Sequence, residues 1–116
     1  MENTPQTAKE IIYSLPERFR PEKLEEGTEA ILHFDISGDR GGQFTVEIKD
    51  AKCTVTDGLV GSPLGTVRAS DANYEDIELG RTNAQMAFMM GKIKADNVME
   101  LMKFIGYFKR LYKKPE

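Results

Sequence analysis

The feature that most constrains this chain is a pair of alternating segments joined by two residues. Phe44, Val46 and Ile48 alternate with Thr45, Glu47 and Lys49, and beyond Asp50-Ala51 the stretch Cys53-Thr54-Val55-Thr56-Asp57 alternates again. A tight turn at Asp50-Ala51 sets Ile48 opposite Cys53, Val46 opposite Val55 and Phe44 opposite Asp57, with Glu47 facing Thr54 and Thr45 facing Thr56. One face is then largely apolar and the other polar. A slip of one residue would invert every side chain, so the agreement of both strands supports this register, although Ala51 is a poorer turn residue than Gly.

Upstream, Thr28 to Ile36 alternates with Ala30, Leu32, Phe34 and Ile36 on one face and Glu29, Ile31, His33 and Asp35 on the other. This reads as a half-buried strand. The cluster Gly38-Asp39-Arg40-Gly41-Gly42 then turns the chain back into an antiparallel neighbour. Such a glycine cluster resembles a phosphate loop, but phosphate loops lead into a helix N-terminus, and this one joins strand to strand. Thr66 to Ala69 and Lys92 to Ala95 read as further short strands.

Helices fill the remainder. Near the N-terminus either Thr4-Pro5 or the capping box Thr7/Glu10 opens a helix whose stripe is Ile11, Ile12 and Leu15, ended by Pro16. Ser70 or Asp71 caps a second helix reaching Leu79. Thr82 with Gln85 forms a capping box for a third, apolar from Ala84 to Met90 apart from Gln85. Asp96 or Asn97 caps a last helix expected to run to about Lys113.

At 116 residues the chain fits one core, so residues 1–116 are read as a single domain. The apolar-rich stretch from Asn97 to Tyr112 is broken by Glu100, Lys103, Lys109 and Arg110, so it falls short of a membrane span. The N-terminus lacks the basic and apolar regions of a secretory signal and Cys53 has no partner for a disulfide, which points to the cytoplasm. Net charge is −3 but unevenly spread: residues 1–30 carry seven acidic and four basic side chains, residues 92–114 seven basic and two acidic. An acidic chain without Trp or zinc-knuckle cysteines lacks the footprint of a nucleic-acid binder.

Catalytic readings find little support. His33, the one histidine, falls on the predicted polar strand face beside Asp35 and reads as surface decoration. Ser37 and Ser62 lie in glycine-rich turns without a nucleophile elbow, and Cys53 alternates with core residues as a small buried hydrophobe. One His and one Cys do not make a structural zinc site, and no calcium-loop spacing occurs; no metal or cofactor is expected.

The methionines carry more. Met86, Met89, Met90, Met99 and Met102 are five of the six, all in the last third, and Met adapts to varied apolar partners. At helical spacing, Val98, Leu101, Met102, Phe104, Ile105, Tyr107, Phe108, Leu111 and Tyr112 would cover well over half of the last helix, more than one core contact needs. The excess must meet a second surface: a bound lipid, a partner subunit or a membrane.

The segments Phe34-Asp35-Ile36-Ser37-Gly38, Gly41 to Asp50 and Cys53 to Gly58 resemble the central hairpin of the sterol carrier protein 2 (sterol-transfer) family, and Ser70-Asp71, Gly80, Asn83 to Phe88 and Gly91 to Lys94 match its helix pair and final strand in order and spacing. The resemblance covers about residues 15–108. It implies an α+β fold with a five-stranded, largely antiparallel sheet, helices packed on one face, and an apolar tunnel taking a lipid, fatty acid, sterol or acyl-coenzyme A. It brings no catalytic residues. Two features depart from the family: a shorter final strand and turn at Lys92 to Asn97, which implies a tunnel of different shape, and a C-terminus, Lys114-Pro115-Glu116, that is not a peroxisomal signal and favours a cytosolic, prokaryotic setting.

On this reading the chain is a non-enzymatic carrier whose ligand is lined by Val46, Ile77, Met86, Met89, Met90, Met102, Ile105 and Phe108. Lys109, Arg110, Lys113 and Lys114 are the expected contacts to a membrane surface or an acyl-coenzyme A phosphate. The alternatives are an interaction module using the same apolar surface for a homodimer or partner, and a subunit assisting a lipid-modifying enzyme.

Overall fold

The computed structural model describes residues 4–111. The expected hairpin is present: β2 (Gly42–Lys49) pairs antiparallel with β3 (Lys52–Asp57) in the register Ile48–Cys53, Val46–Val55, Phe44–Asp57. Asp50 and Ala51 both take positive φ, 54° and 60°, the signature of a type I′ turn whose twist matches the strands it joins. β1 (Ala30–Ser37) lies antiparallel to β2 on its other side and parallel to β4 (Gly65–Ser70), and β5 (Ile93–Ala95) closes the edge antiparallel to β4. The order β3-β2-β1-β4-β5 gives the expected five-stranded, largely antiparallel sheet of an α+β fold.

Helices cover the face bearing Leu32, Ile36, Phe44, Val46, Ile48 and Val67, which join Ile11, Ile12, Leu15 and Tyr74 in one buried cluster. Each large apolar side chain so buried contributes about 1.5–3 kcal/mol. α1 (Ala8–Tyr13) begins with the Thr7/Glu10 capping box rather than at Thr4. Pro16 does not simply end this helix. The chain turns at Ser14 and restarts as α2 (Leu15–Arg18) with Pro16 in its first turn, where a missing N–H costs nothing; a short 3₁₀ turn follows at Pro21–Lys23. α3 (Asp71–Glu78) is capped by the Ser70 hydroxyl. α4 (Ala84–Met89) is capped one residue later than expected, by Asn83 Oδ1 accepting from Met86 N–H at 3.1 Å.

The last helix is much shorter than its apolar pattern suggests. α5 (Val98–Ile105) stops at Gly106, and after a turn at Gly106-Tyr107 the chain bridges antiparallel at Phe108 to Phe19. Arg20 N–H donates to Tyr107 O at 2.8 Å and Lys109 N–H to Arg18 O at 2.8 Å. Tyr107 and Phe108 are therefore buried off the helix, Tyr107 in the turn against Phe104 and Phe108 by strand-like pairing with Phe19.

His33 is also not surface decoration. It is 8% exposed, flanked by Thr45 and Thr66 on the outer sheet face, with Nε2 at 2.8 Å from Val60 O. The loop after β3 lies over this face and is fastened by Thr45 Oγ1, which donates to Gly58 O and accepts from Val60 N–H.

Candidate functional site

The last two helices, expected to hold a ligand, lie toward the β5 edge of the sheet. α4 packs beside β5, and α5 lies on β4, where Gly65 leaves room: a Cβ there would come within 3.1 Å of Leu101 Cγ. Leu101 and Phe104 fasten α5 to the core, and Phe104 meets Tyr107 edge to face at 5.3 Å. Beyond α5 the anchorage is polar as well. Arg18 Nη1 donates to Lys109 O at 2.9 Å and Arg20 Nη2 to Gly106 O at 2.7 Å. A guanidinium donating to Gly106 O in this way satisfies a backbone carbonyl that the helix end leaves open.

The sequence-predicted lining residues separate into two sets. Val46 and Phe108 are buried in the core and Ile77 is half-buried on α3, whereas Met86, Met89, Met90, Met102 and Ile105 face outward. Phe88 and Met99, absent from the expected lining, are exposed with them, so seven large apolar side chains stand open between residues 86 and 105. On α5 the spacing explains this: Leu101 and Phe104 take the side toward the sheet, while Met99, Met102 and Ile105, each three residues apart, share another side. That spacing was the available signal for Met99.

Two concavities, of about 250 and 390 Å³, lie elsewhere, one around Pro21 to Thr28 and the Asp50-Ala51 turn, the other between Glu29 to Ile31 and Ser62 to Leu64. None of the eight expected lining residues borders them. Lys109 and Arg110 are exposed, and Lys113 and Lys114 lie outside the described residues.

Under the helices sits a polar group of another kind. Tyr74 is 2% exposed and its hydroxyl has no hydrogen-bond partner among the described residues. Burial, with the Glu78 carboxylate nearby, raises the Tyr74 phenol well above its ordinary value, and burial also raises Glu78. Cys53, half-buried against the core, is pushed up to about 12 by burial, far from the thiolate that a nucleophile needs. Among the described residues no three His, Cys, Asp or Glu side chains gather as a metal cluster, and no helix is long and apolar enough to cross a membrane.

A five-stranded sheet of this order, covered on one face by short helices, makes this an α+β domain. The chain belongs to the SCP-2 sterol transfer family, whose pattern it matches over residues 9–109. Among solved structures, the sterol carrier protein domain 2 of Helicoverpa armigera is similar, at 30% identity and TM-score 0.54, over 70% of this chain and 67% of that one. The palmitated sterol carrier protein 2-like 2 of Aedes aegypti aligns with 90% of this chain and 97% of its own, at 14% identity and TM-score 0.61. The stereoselective inverting sec-alkylsulfatase from Pseudomonas sp. is similar over 93% of this chain at 16% identity and TM-score 0.73, but the match spans only 17% of the sulfatase. No curated protein matches the chain significantly in sequence.

Proposed function

We propose that this chain is a non-catalytic carrier that binds an apolar lipid, fatty-acyl or sterol ligand in a tunnel between the sheet and α4–α5. The observation that carries the reading is the set of seven exposed apolar side chains on α4 and α5, in a chain of the sterol transfer family. So much exposed apolar surface at one sheet edge marks a place where an apolar partner is taken up. Met86, Met89, Met90, Met102 and Ile105 form the mouth, and Val46, Ile77 and Phe108 the inner wall that a ligand meets when α5 moves from β4. Methionine suits such a mouth because its flexible thioether follows acyl chains of different shape. Apolar walls discriminate weakly, about 1–3 kcal/mol per methylene, so the ligand class is broad. The Aedes aegypti relative was solved in a palmitated form, which supports the fatty-acyl choice.

A second reading has one observation in its favour: a domain of this fold occurs within the sulfatase chain. On that reading the carrier presents its ligand to an enzyme. Native mass spectrometry of the purified protein, followed by uptake of a fluorescent fatty acid, tests the main proposal. Co-purified lipid and saturable uptake are expected. Ligand-free dimers at every concentration, with no uptake, would instead assign the apolar surface to self-association.

A further inference from the structure

We propose that the exposed apolar side chains of α4 and α5, with the cations around them, form a docking surface for an anionic lipid bilayer. The inference deepens the carrier reading by naming the surface through which lipid would be exchanged, and it stands on two observations.

The first is how far the side chains project. Met99 is 80% exposed and Met89 78%, and Phe88, Met102 and Ile105 accompany them from α4, packed on the edge strand β5, and α5, packed on its neighbour β4. Neither described concavity lies among them. A protein partner needs a shape to match, whereas an acyl–headgroup boundary accepts separate apolar protrusions in any arrangement.

The second is charge. Residues 84–111 carry five cations, Lys92, Lys94, Lys103, Lys109 and Arg110, and two carboxylates, in a chain whose net charge is −3. All five cations are exposed, and none is in an ion pair among the described residues. Of the carboxylates, Asp96 is engaged with Arg68 at 3.8 Å. This end of the molecule therefore opposes the sign of the rest, which orients it toward a negative surface. A second copy docked through the same surface would bring like cations together. An anionic leaflet instead attracts each of them, and the attraction weakens with salt.

The test uses the full chain and sucrose-loaded vesicles of phosphatidylcholine, alone or with about one third phosphatidylglycerol, at low and high salt. Fluorescent fatty-acid uptake is measured in vesicle-free solution on the same preparations. Wild type is expected to sediment about tenfold more with anionic vesicles, an advantage that salt removes. Phe88→Ser/Met99→Ser, at positions outside the proposed ligand lining, should lower sedimentation about tenfold with fatty-acid uptake retained. Lys92→Glu/Lys103→Glu should abolish the preference for anionic lipid, and circular dichroism verifies that both variants are folded. Docking is overturned if wild type ignores vesicle charge or if the folded Phe88→Ser/Met99→Ser variant sediments like wild type. It is also overturned by a dimer that this double substitution dissolves, which would give the surface to a second copy. Uptake without vesicle binding removes docking alone; vesicle binding without uptake supports docking and removes the carrier reading.

Discussion

Arg40 closes a fork on Glu75: its Nε lies 2.9 Å from Oε2 and its Nη2 3.0 Å from Oε1. Glu75 is 6% exposed, and its Oε2 also accepts Ala8 N–H at 2.8 Å. Arg40 completes the junction with its own backbone, accepting from Lys9 N–H at 3.0 Å and donating to Asp71 Oδ2 at 3.1 Å. One ion pair thus ties the β1–β2 turn to the start of α1 and to α3. Gly38 belongs to the same junction, since with φ at +101° a Cβ there would run into the Asp71 carboxylate.

The two halves of this pair are unequal in what their loss leaves behind. Glu75→Ala frees a half-exposed guanidinium that can turn to water and leaves the buried Ala8 N–H without its acceptor, and its loss of charged hydrogen bonds should cost about 2–3 kcal/mol. Arg40→Ala strands a buried carboxylate with a single backbone donor, so it should destabilise more. Urea unfolding of both variants checks the order; equal losses would show that Glu75 reaches water.

Two carboxyls shift in opposite directions and should shape the pH profile. The Arg40 backbone N–H, chief among several donors, holds Asp71 below its ordinary 3.8. Its contribution is present above that value and lost as pH falls toward the folded value. Burial raises Glu78 above 4.5, so its contribution is present below 4.5 and lost as pH rises through the folded value. Thermal midpoints of Asp71→Asn should lack part of the acid decline, and those of Glu78→Gln part of the decline above pH 4.5.

Ala51 sits at φ 60° in the β2–β3 turn, a conformation that strains a residue with a Cβ. Ala51→Gly relieves about 1–2 kcal/mol of that strain, less the greater freedom of glycine in the unfolded chain. A net gain of about 0.5–1 kcal/mol in chemical denaturation is expected.

How far the sequence reaches follows from which forces are local. The register of β2 and β3 is legible because side chains alternate at period two and one face must be apolar. The end of α5 is not, because Tyr107 and Phe108 are apolar whether they continue a helix or pair with Phe19. Only Gly106 hints at the stop, and the deciding hydrogen bonds come from Arg18 and Arg20, nearly ninety residues earlier. His33 is buried for a similar reason: alternation assigns it to the outer face, and the loop that covers this face is fastened from Thr45 on another strand. At the candidate site, composition reveals surplus apolar surface on the last helices. It does not reveal that Leu101 and Phe104 suffice for the core and leave the methionines outward.

Cys53 offers a probe of opening at the β3 edge. With its thiol pushed up to about 12, it should resist iodoacetamide at neutral pH in the folded protein and react at the rate of a free thiol in urea. Labelling followed by intact-mass measurement checks this; rapid labelling of the native chain would mean that β3 detaches readily from β2.

Met102→Asp separates ligand binding from folding. Met102 is 64% exposed, so the substitution should change stability by no more than about 0.5 kcal/mol. Where its side chain lines an acyl chain, an ionised carboxylate set against that chain pays desolvation without a partner, and affinity for a fluorescent fatty acid should fall at least about tenfold. Phe108 cannot be read in the same way. It is buried with its ring 5.6 Å from that of Phe19, and Phe108→Ala should cost about 3–5 kcal/mol by opening a cavity, so lost binding there would report lost structure. The informative comparison is therefore fatty-acid titration of Met102→Asp against Met102→Leu, with thermal unfolding of each. Weakened binding by the aspartate alone, with both midpoints near wild type, places Met102 at the ligand; unchanged binding by both removes it from the lining and moves the ligand's path away from that side of α5.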